Sequence, residues 1–365
     1  MNSNLKRKDT TTSNNSNSSK KKVKKTASYF RQHIVPNPPK VDYSKTITLP
    51  EGSNIKLTDV HKEQLRTDGY CVVDNVIQEY KVYEEKFWDW LENLGTGIQR
   101  RNWSTWTKDH APIQTRGIIE YPSLVHAEFI WEIRCHPNIR SLFAQLWNDS
   151  DLLVGFCRAR IIPPALVQSD EKEKTWFHVD QSSRRRGLHC IQGVLNLTDS
   201  SEETDAGLVL IPGSHHYHNE YFKEHDIAVS REWYKHTEED LKWFYETKQL
   251  KSIKVNAKAG SVILWDSRTI HCNKKPSPNQ VDQTKAGIGV YICMTPRKWC
   301  DNEILLKKQK AFNQVAFASH WPHIVQYIQE NKPPFRTNGI DCTKFKNIQT
   351  TPPLLDDIGL RLAGF

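Results

Sequence analysis

The stretch Thr175-Trp176-Phe177-His178-Val179-Asp180-Gln181 decides how the chain is read. Two aromatic residues lead into a histidine and an aspartate two apart, in a segment with the composition of a β-strand. Strand alternation sets His178 and Asp180 on one face. One imidazole and one carboxylate on a common face are two of the three ligands of a mononuclear metal centre that keeps open coordination positions, the third being a second histidine. A lone His-x-Asp is often accidental or a surface ion pair. It gains weight from Gly260-Ser261-Val262-Ile263-Leu264-Trp265-Asp266-Ser267-Arg268-Thr269-Ile270-His271, where a glycine turn leads an apolar strand that ends in a histidine.

Outward from these two segments, residues 151–298 read as a succession of short strands: 152–156, 159–162, the His178 strand, 187–197, 207–211, 253–255, 261–265 and 287–294. Gly, Pro, Asn and Asp punctuate them, with one helical insertion near 229–249. That pattern predicts an antiparallel jelly-roll or barrel whose sheets close around an interior where the two ligand segments face each other. Upstream, Thr58 to Leu65 begins with capping residues and reads as a short helix ending near Gly69, followed by a strand over 70–77. Residues 78–95 and 127–147 carry apolar and aromatic side chains at helical spacing, the mark of core stripes rather than ligand sites.

Composition narrows the partners. Residues 1–26 hold eight basic side chains (Lys6, Arg7, Lys8, Lys20, Lys21, Lys22, Lys24, Lys25) against Asp9, so this segment supplies most of the formal +9 and the remainder is near neutral. Residues 1–28 are Ser/Thr/Asn/Lys-rich and nearly free of apolar groups, which predicts a disordered tail; its basic run reads either as a solvated tail or as a segment for nuclear import or nucleic-acid contact, and no other part of the chain is expected to make such a contact. Pro36, Pro38 and Pro39 mark a linker, so the domain reading is a tail and linker over 1–40, a folded unit over 41–300, and a helical to irregular extension packed on it over 301–365. The eight cysteines are scattered without a Cys-x-x-Cys, as expected of reduced thiols. No apolar run suggests a signal or a membrane span, so a cytoplasmic or nuclear location is expected, not a secreted one.

Taken together, Asp68-Gly69-Tyr70-Cys71-Val72-Val73-Asp74, His178-Val179-Asp180, Gly207 to His215, and Trp265-Asp266-Ser267-Arg268-Thr269-Ile270-His271 resemble the phytanoyl-CoA dioxygenase family over about residues 58–298. The resemblance implies a mainly β fold with flanking helices around a double-stranded β-helix, cupin-like core. It implies Fe(II) held by His178, Asp180 and His271, with 2-oxoglutarate as cosubstrate, decarboxylated to succinate as a small organic substrate is hydroxylated.

Members of the family usually carry an arginine on the last sheet strand to pair with the far carboxylate of 2-oxoglutarate. Gly287 stands where that residue is expected. Lys285, two residues upstream, is the first substitute; Arg268 and Arg297 are others, and Asn273, two past His271, matches a small polar position near the cosubstrate. Arg158 and Arg160, close to Pro163-Pro164, are given less weight, and the sequence leaves open which of them faces the pocket. His215, His216 and His218 are read as turn and loop residues, and Arg184-Arg185-Arg186 as an exposed run or a contact for an anionic substrate. The glycine at 287 motivates a second reading, a catalytically degenerate oxygenase fold acting as a binding or regulatory protein. A cupin-like metal enzyme that does not use 2-oxoglutarate lies between the two.

Overall fold

The computed structural model describes residues 35–107, 109–110, 114–119, 121–164, 176–325, 328–329, 336–337, 340–341 and 345–365, so the expected basic tail over 1–28 lies outside the described residues. Helix α1 (Asp59–Thr67) starts at a capping box formed by Thr58 and His61. It gives way through Gly69, at φ +79°, to β1 (Tyr70–Val73). A Cβ at Gly69 would lie 2.4 Å from Thr269 Oγ1, so the turn needs glycine for space as well as for conformation. Next come α2 (Tyr80–Asn93), β2 (Gln114–Thr115) and β3 (Ile118–Ile119).

The apolar stretch over 127–147 is two helices, α3 (Glu128–Cys135) and α4 (Pro137–Trp147), rather than one. Pro137 forces the residue before it out of helical geometry, and His136 sits at ψ 128°. Pro137 then serves as the first residue of α4, where a missing N–H costs nothing. The strands β4 (Leu152–Val154), β5 (Ala159–Ile162), β6 (His178–Val179), β7 (Ile191–Asn196) and β8 (Gly207–Leu210) follow. After them the chain inserts α5 (His218–Glu224), β9 (Tyr234–Lys235) and α6 (Glu238–Lys242), then returns with β10 (Ile253–Val255), β11 (Val262–Asp266), β12 (His271–Lys274) and β13 (Gly287–Pro296). Helices α7 (Asn302–Asn313) and α8 (Asp357–Ala363) belong to the C-terminal segment. One expectation is corrected here: the strand leading to His271 stops at Asp266, and after a turn His271 opens a strand of the other sheet.

Pairing is antiparallel throughout. The larger sheet runs β1-β11-β7-β13-β5-β3-β2, with β4 also on β13, and the smaller runs β10-β8-β12-β6-β9. From β5 to β8 and again from β10 to β13 the chain alternates between the two sheets, as it does in a double-stranded β-helix. Val194, Ile263 and Trp265 from the larger sheet meet Leu208, Leu210 and Val255 from the smaller in one cluster, which fixes the sheets face to face. Alternate residues point the other way: Ile288, Val290 and Ile292 of β13 join Phe87, Phe143 and Leu91 in the helical layer over the larger sheet. Val179 and Cys272 join Phe222 and Phe244 of the inserted segment over the smaller one. Among the described residues, no helix is long and apolar enough to cross a membrane.

Several histidines are buried in this framework. Burial pushes His126, His236 and His323 down to about 3. Their folded-state values lie below the ordinary 6.5, so the unfolded chain takes up protons that the folded chain refuses. The contribution is complete above pH 6.5 and is lost as pH falls toward 3, on the order of 1 kcal/mol per group per pH unit. A thermal-melting series on metal-free protein is expected to fall by several degrees between pH 7 and pH 5, and a flat profile would contradict this account of the buried histidines.

Candidate metal centre

The geometry begins with one register. In the smaller sheet β12 pairs with β6 so that His271 stands directly opposite His178. The two imidazoles project into the space between the sheets with ring centroids 4.3 Å apart. Asp180 lies just past β6, where its N–H donates to the carbonyl of Ser267 at 2.9 Å, bringing its carboxylate to the same point. Asp180 Oδ1 is 3.7 Å from His178 Nε2, and Oδ2 is 3.3 Å from His271 Nε2. One ligand atom from each of the three residues lies within 4.8 Å of the others, and all three side chains are buried.

Hydrogen bonds set which ring nitrogen is available. His178 Nδ1 bonds the Trp176 carbonyl at 3.1 Å, and His271 Nδ1 the Thr269 carbonyl at 2.8 Å. A carbonyl only accepts, so each Nδ1 carries the proton and each Nε2 presents a lone pair. Burial, with His271 beside it, pushes His178 down to about 3, which keeps it neutral at physiological pH. For Asp180, burial acts to raise the carboxyl, but His320, His178 and His271 outweigh it and hold it well below the usual range. Gln192, inward on β7, donates from Nε2 to Asp180 Oδ2 at 2.9 Å and fixes the carboxylate's rotation. Two neutral imidazoles and an ionised carboxylate fit a divalent first-row metal, and Fe(II) is the usual occupant of a set that leaves several positions open.

The three residues stand at the wall of a cavity of about 540 Å³. Aromatic faces come from Trp176, which stacks on His178 at 4.4 Å, and from Trp233, Phe317 and Trp321, while Arg158, Arg231 and Glu232 add charge to the lining. Phe317, Ser319, His320 and Trp321 come from beyond residue 300, so the C-terminal segment supplies part of this wall. His320 is half-buried, and its Nε2, shielded from solvent, has no hydrogen-bond partner among the described residues. Asn273, inward from β12, lines the cavity beside Tyr291 of β13, whose hydroxyl donates to Asn273 Oδ1 at 2.8 Å.

Other expected site residues lie elsewhere. Lys285 precedes β13, and its Nζ pairs with Asp205 at 2.7 Å, away from the cavity lining. Arg268 is held by Asp266 at 2.6 Å in the turn before β12. Arg297 donates to the carbonyls of Arg361 and Gly364. Each of these cations is paired with a carboxylate or carbonyl, and none of the three is among the residues that line the cavity. Arg185 is buried against Glu232 at 2.7 Å rather than exposed. His215 and His218 are buried too, bonding the carbonyls of Arg66 and Gln181. Gln192, Tyr291 and His320 were not singled out from sequence; alternation along β7 and β13 would have indicated the first two.

The family model for phytanoyl-CoA dioxygenase (PhyH) matches residues 65–275. Ava biosynthesis cluster protein O of Aspergillus versicolor is 30% identical over 285 residues, covering 74% of this chain and 90% of that one. Among solved structures, the non-heme alpha ketoglutarate dependent carbocyclase SnoK from nogalamycin biosynthesis aligns at 15% identity and a TM-score of 0.45, covering 66% of this chain and 85% of that one. EctD from S. alaskensis aligns at 15% identity and a TM-score of 0.43, covering 73% and 87%. The family match spans more than half of the chain and includes all three converging ligand residues, and the chain belongs to the phytanoyl-CoA dioxygenase family.

Proposed function

We propose that this protein is an Fe(II)- and 2-oxoglutarate-dependent oxygenase that hydroxylates a small, ring-bearing organic molecule. The observation that carries the proposal is the convergence of His178 Nε2, the Asp180 carboxylate and His271 Nε2 on one point at the wall of a cavity with aromatic faces. Once bound, Fe(II) and 2-oxoglutarate activate O2, and the balanced reaction is R–H + 2-oxoglutarate + O2 giving R–OH, succinate and CO2.

The chain's own groups have distinct tasks in this reading. His178 and His271 offer neutral lone pairs without releasing a proton, and Asp180 supplies the one negative charge. Gln192 and the two backbone carbonyls behind the imidazoles keep these donors from rotating. Trp176, Trp233, Phe317 and Trp321 exclude water and offer flat apolar faces, which favours a substrate with a ring system over a charged polymer. The Aspergillus relative is named for a biosynthesis cluster, which also supports a small-molecule substrate.

Metal affinity tests the ligand assignment. In anaerobic calorimetry with Fe(II), His178→Ala and Asp180→Ala are expected to abolish measurable binding, whereas Gln192→Leu is expected to weaken it about 10- to 100-fold. Wild-type binding in both triad variants would remove the assignment. Turnover tests the reaction: wild-type protein with Fe(II) and O2 is expected to convert 2-oxoglutarate to succinate slowly without a substrate, and His178→Ala not at all. Equal succinate from the two proteins would contradict the proposal.

A further inference from the structure

β13 presents Gly287, Gly289 and Tyr291 to the interior, on the face opposite Ile288 and Val290. The two glycines are backed closely. A Cβ at Gly287 would lie 2.5 Å from the Cβ of Ala206, and one at Gly289 would lie 3.0 Å from Arg160 Nε. Arg160 is paired in register with Gly289 across the β5–β13 ladder. The guanidinium of β5 therefore occupies space that a side chain on β13 would need.

Arg160 is 1% exposed. Its Nη1 donates to Asn273 Oδ1 and its Nη2 to Asn196 Oδ1, each at 3.2 Å, while Nε has no partner among the described residues. No carboxylate among the described residues bears on it; the titratable neighbour is the Tyr291 phenol. A guanidinium buried among amides and a phenol, with no counter-charge beside it, keeps a desolvation cost that these neutral partners do not offset. Arg134, equally buried, donates to the carbonyls of Val125 and Cys157 and lies on the Trp131 ring in the helical layer. Arg160 instead stands behind Asn273 and Tyr291, which line the cavity. The Tyr291 hydroxyl and Arg160 Nη1 converge on one oxygen, Asn273 Oδ1, at 2.8 and 3.2 Å. Two such donors on one oxygen reproduce what a bound carboxylate receives. Asn273 is two residues from His271 on the same strand face, so this cluster adjoins the candidate metal centre.

We propose that Arg160, assisted by the Tyr291 hydroxyl, anchors the far carboxylate of 2-oxoglutarate. It reaches from β5 into the space vacated by glycine on β13, and so selects 2-oxo dicarboxylates over 2-oxo monocarboxylates. The inference rests on the reading of the triad as an Fe(II) and 2-oxoglutarate site. Lys285 has no part in it.

The test is an anaerobic titration of the Fe(II)-loaded protein with 2-oxoglutarate and with 2-oxobutyrate, which keeps the chelating end but lacks the far carboxylate. The readout is the visible absorption band of the chelate. Wild type is expected to bind 2-oxoglutarate about 100-fold more tightly than 2-oxobutyrate. Arg160→Met is expected to lose that preference while binding 2-oxobutyrate as wild type does, which also reports an intact iron centre. Arg160→Lys restores part of the preference as a point charge, Tyr291→Phe loses several-fold toward 2-oxoglutarate alone, and Lys285→Ala matches wild type. Should Arg160→Met fail to fold, the lysine and phenylalanine variants decide: weakened preference in both supports the anchor, and full preference in both overturns it. A full preference in folded Arg160→Met, or its loss in Lys285→Ala, overturns the anchor while leaving the cosubstrate reading intact. A wild-type protein that chelates neither acid overturns both.

Discussion

The direct opposition of His178 and His271 across one antiparallel pairing is the constraint on which the rest of the structure depends. Strand side chains alternate with a period of two, so a one-residue slip in either strand would turn its imidazole out of the interior. The fold resists that slip from both sides. Val179 and Cys272, the outward neighbours of the two histidines, are buried in the aromatic cluster of the inserted segment. On the inner side, Trp265 packs 5.3 Å from the His271 ring and Trp176 stacks on His178.

Charge is the second theme. The interior holds an ionised carboxylate at Asp180 and a guanidinium at Arg160, both in surroundings where isolated charge is costly. Asp180 is compensated by neighbouring histidines and the Gln192 amide, and a divalent cation would complete it. Arg160 has only neutral partners among the described residues, with Nε unpaired, and an incoming anion would complete it. A protein with one metal and one dicarboxylate to bind has reason to keep the two charges apart until both ligands arrive.

Much of this was legible in the residues. His178, Asp180 and His271 stood out by type and spacing, and the succession of short strands gave the sheet architecture. Helix α1 and the Gly69 turn followed from capping chemistry and glycine. Other features depend on pairings between residues far apart in the chain. Arg160 stood among several arginines until its register with Gly289 set it beside a vacated position, and the pairing of Lys285 with Asp205 joins residues eighty apart in the chain. Phe317, His320 and Trp321 carry no periodicity that would connect them with a metal centre more than forty residues upstream. The break at Pro137 was readable from the proline itself, but the apolar periodicity runs straight through it.

The most direct measurement is anomalous diffraction at the iron edge from crystals loaded anaerobically with Fe(II). The account predicts one strong peak bounded by His178 Nε2, the Asp180 carboxylate and His271 Nε2, lost in crystals of His271→Ala. A peak at a different set of side chains, or one that persists at this position without His271, would contradict it.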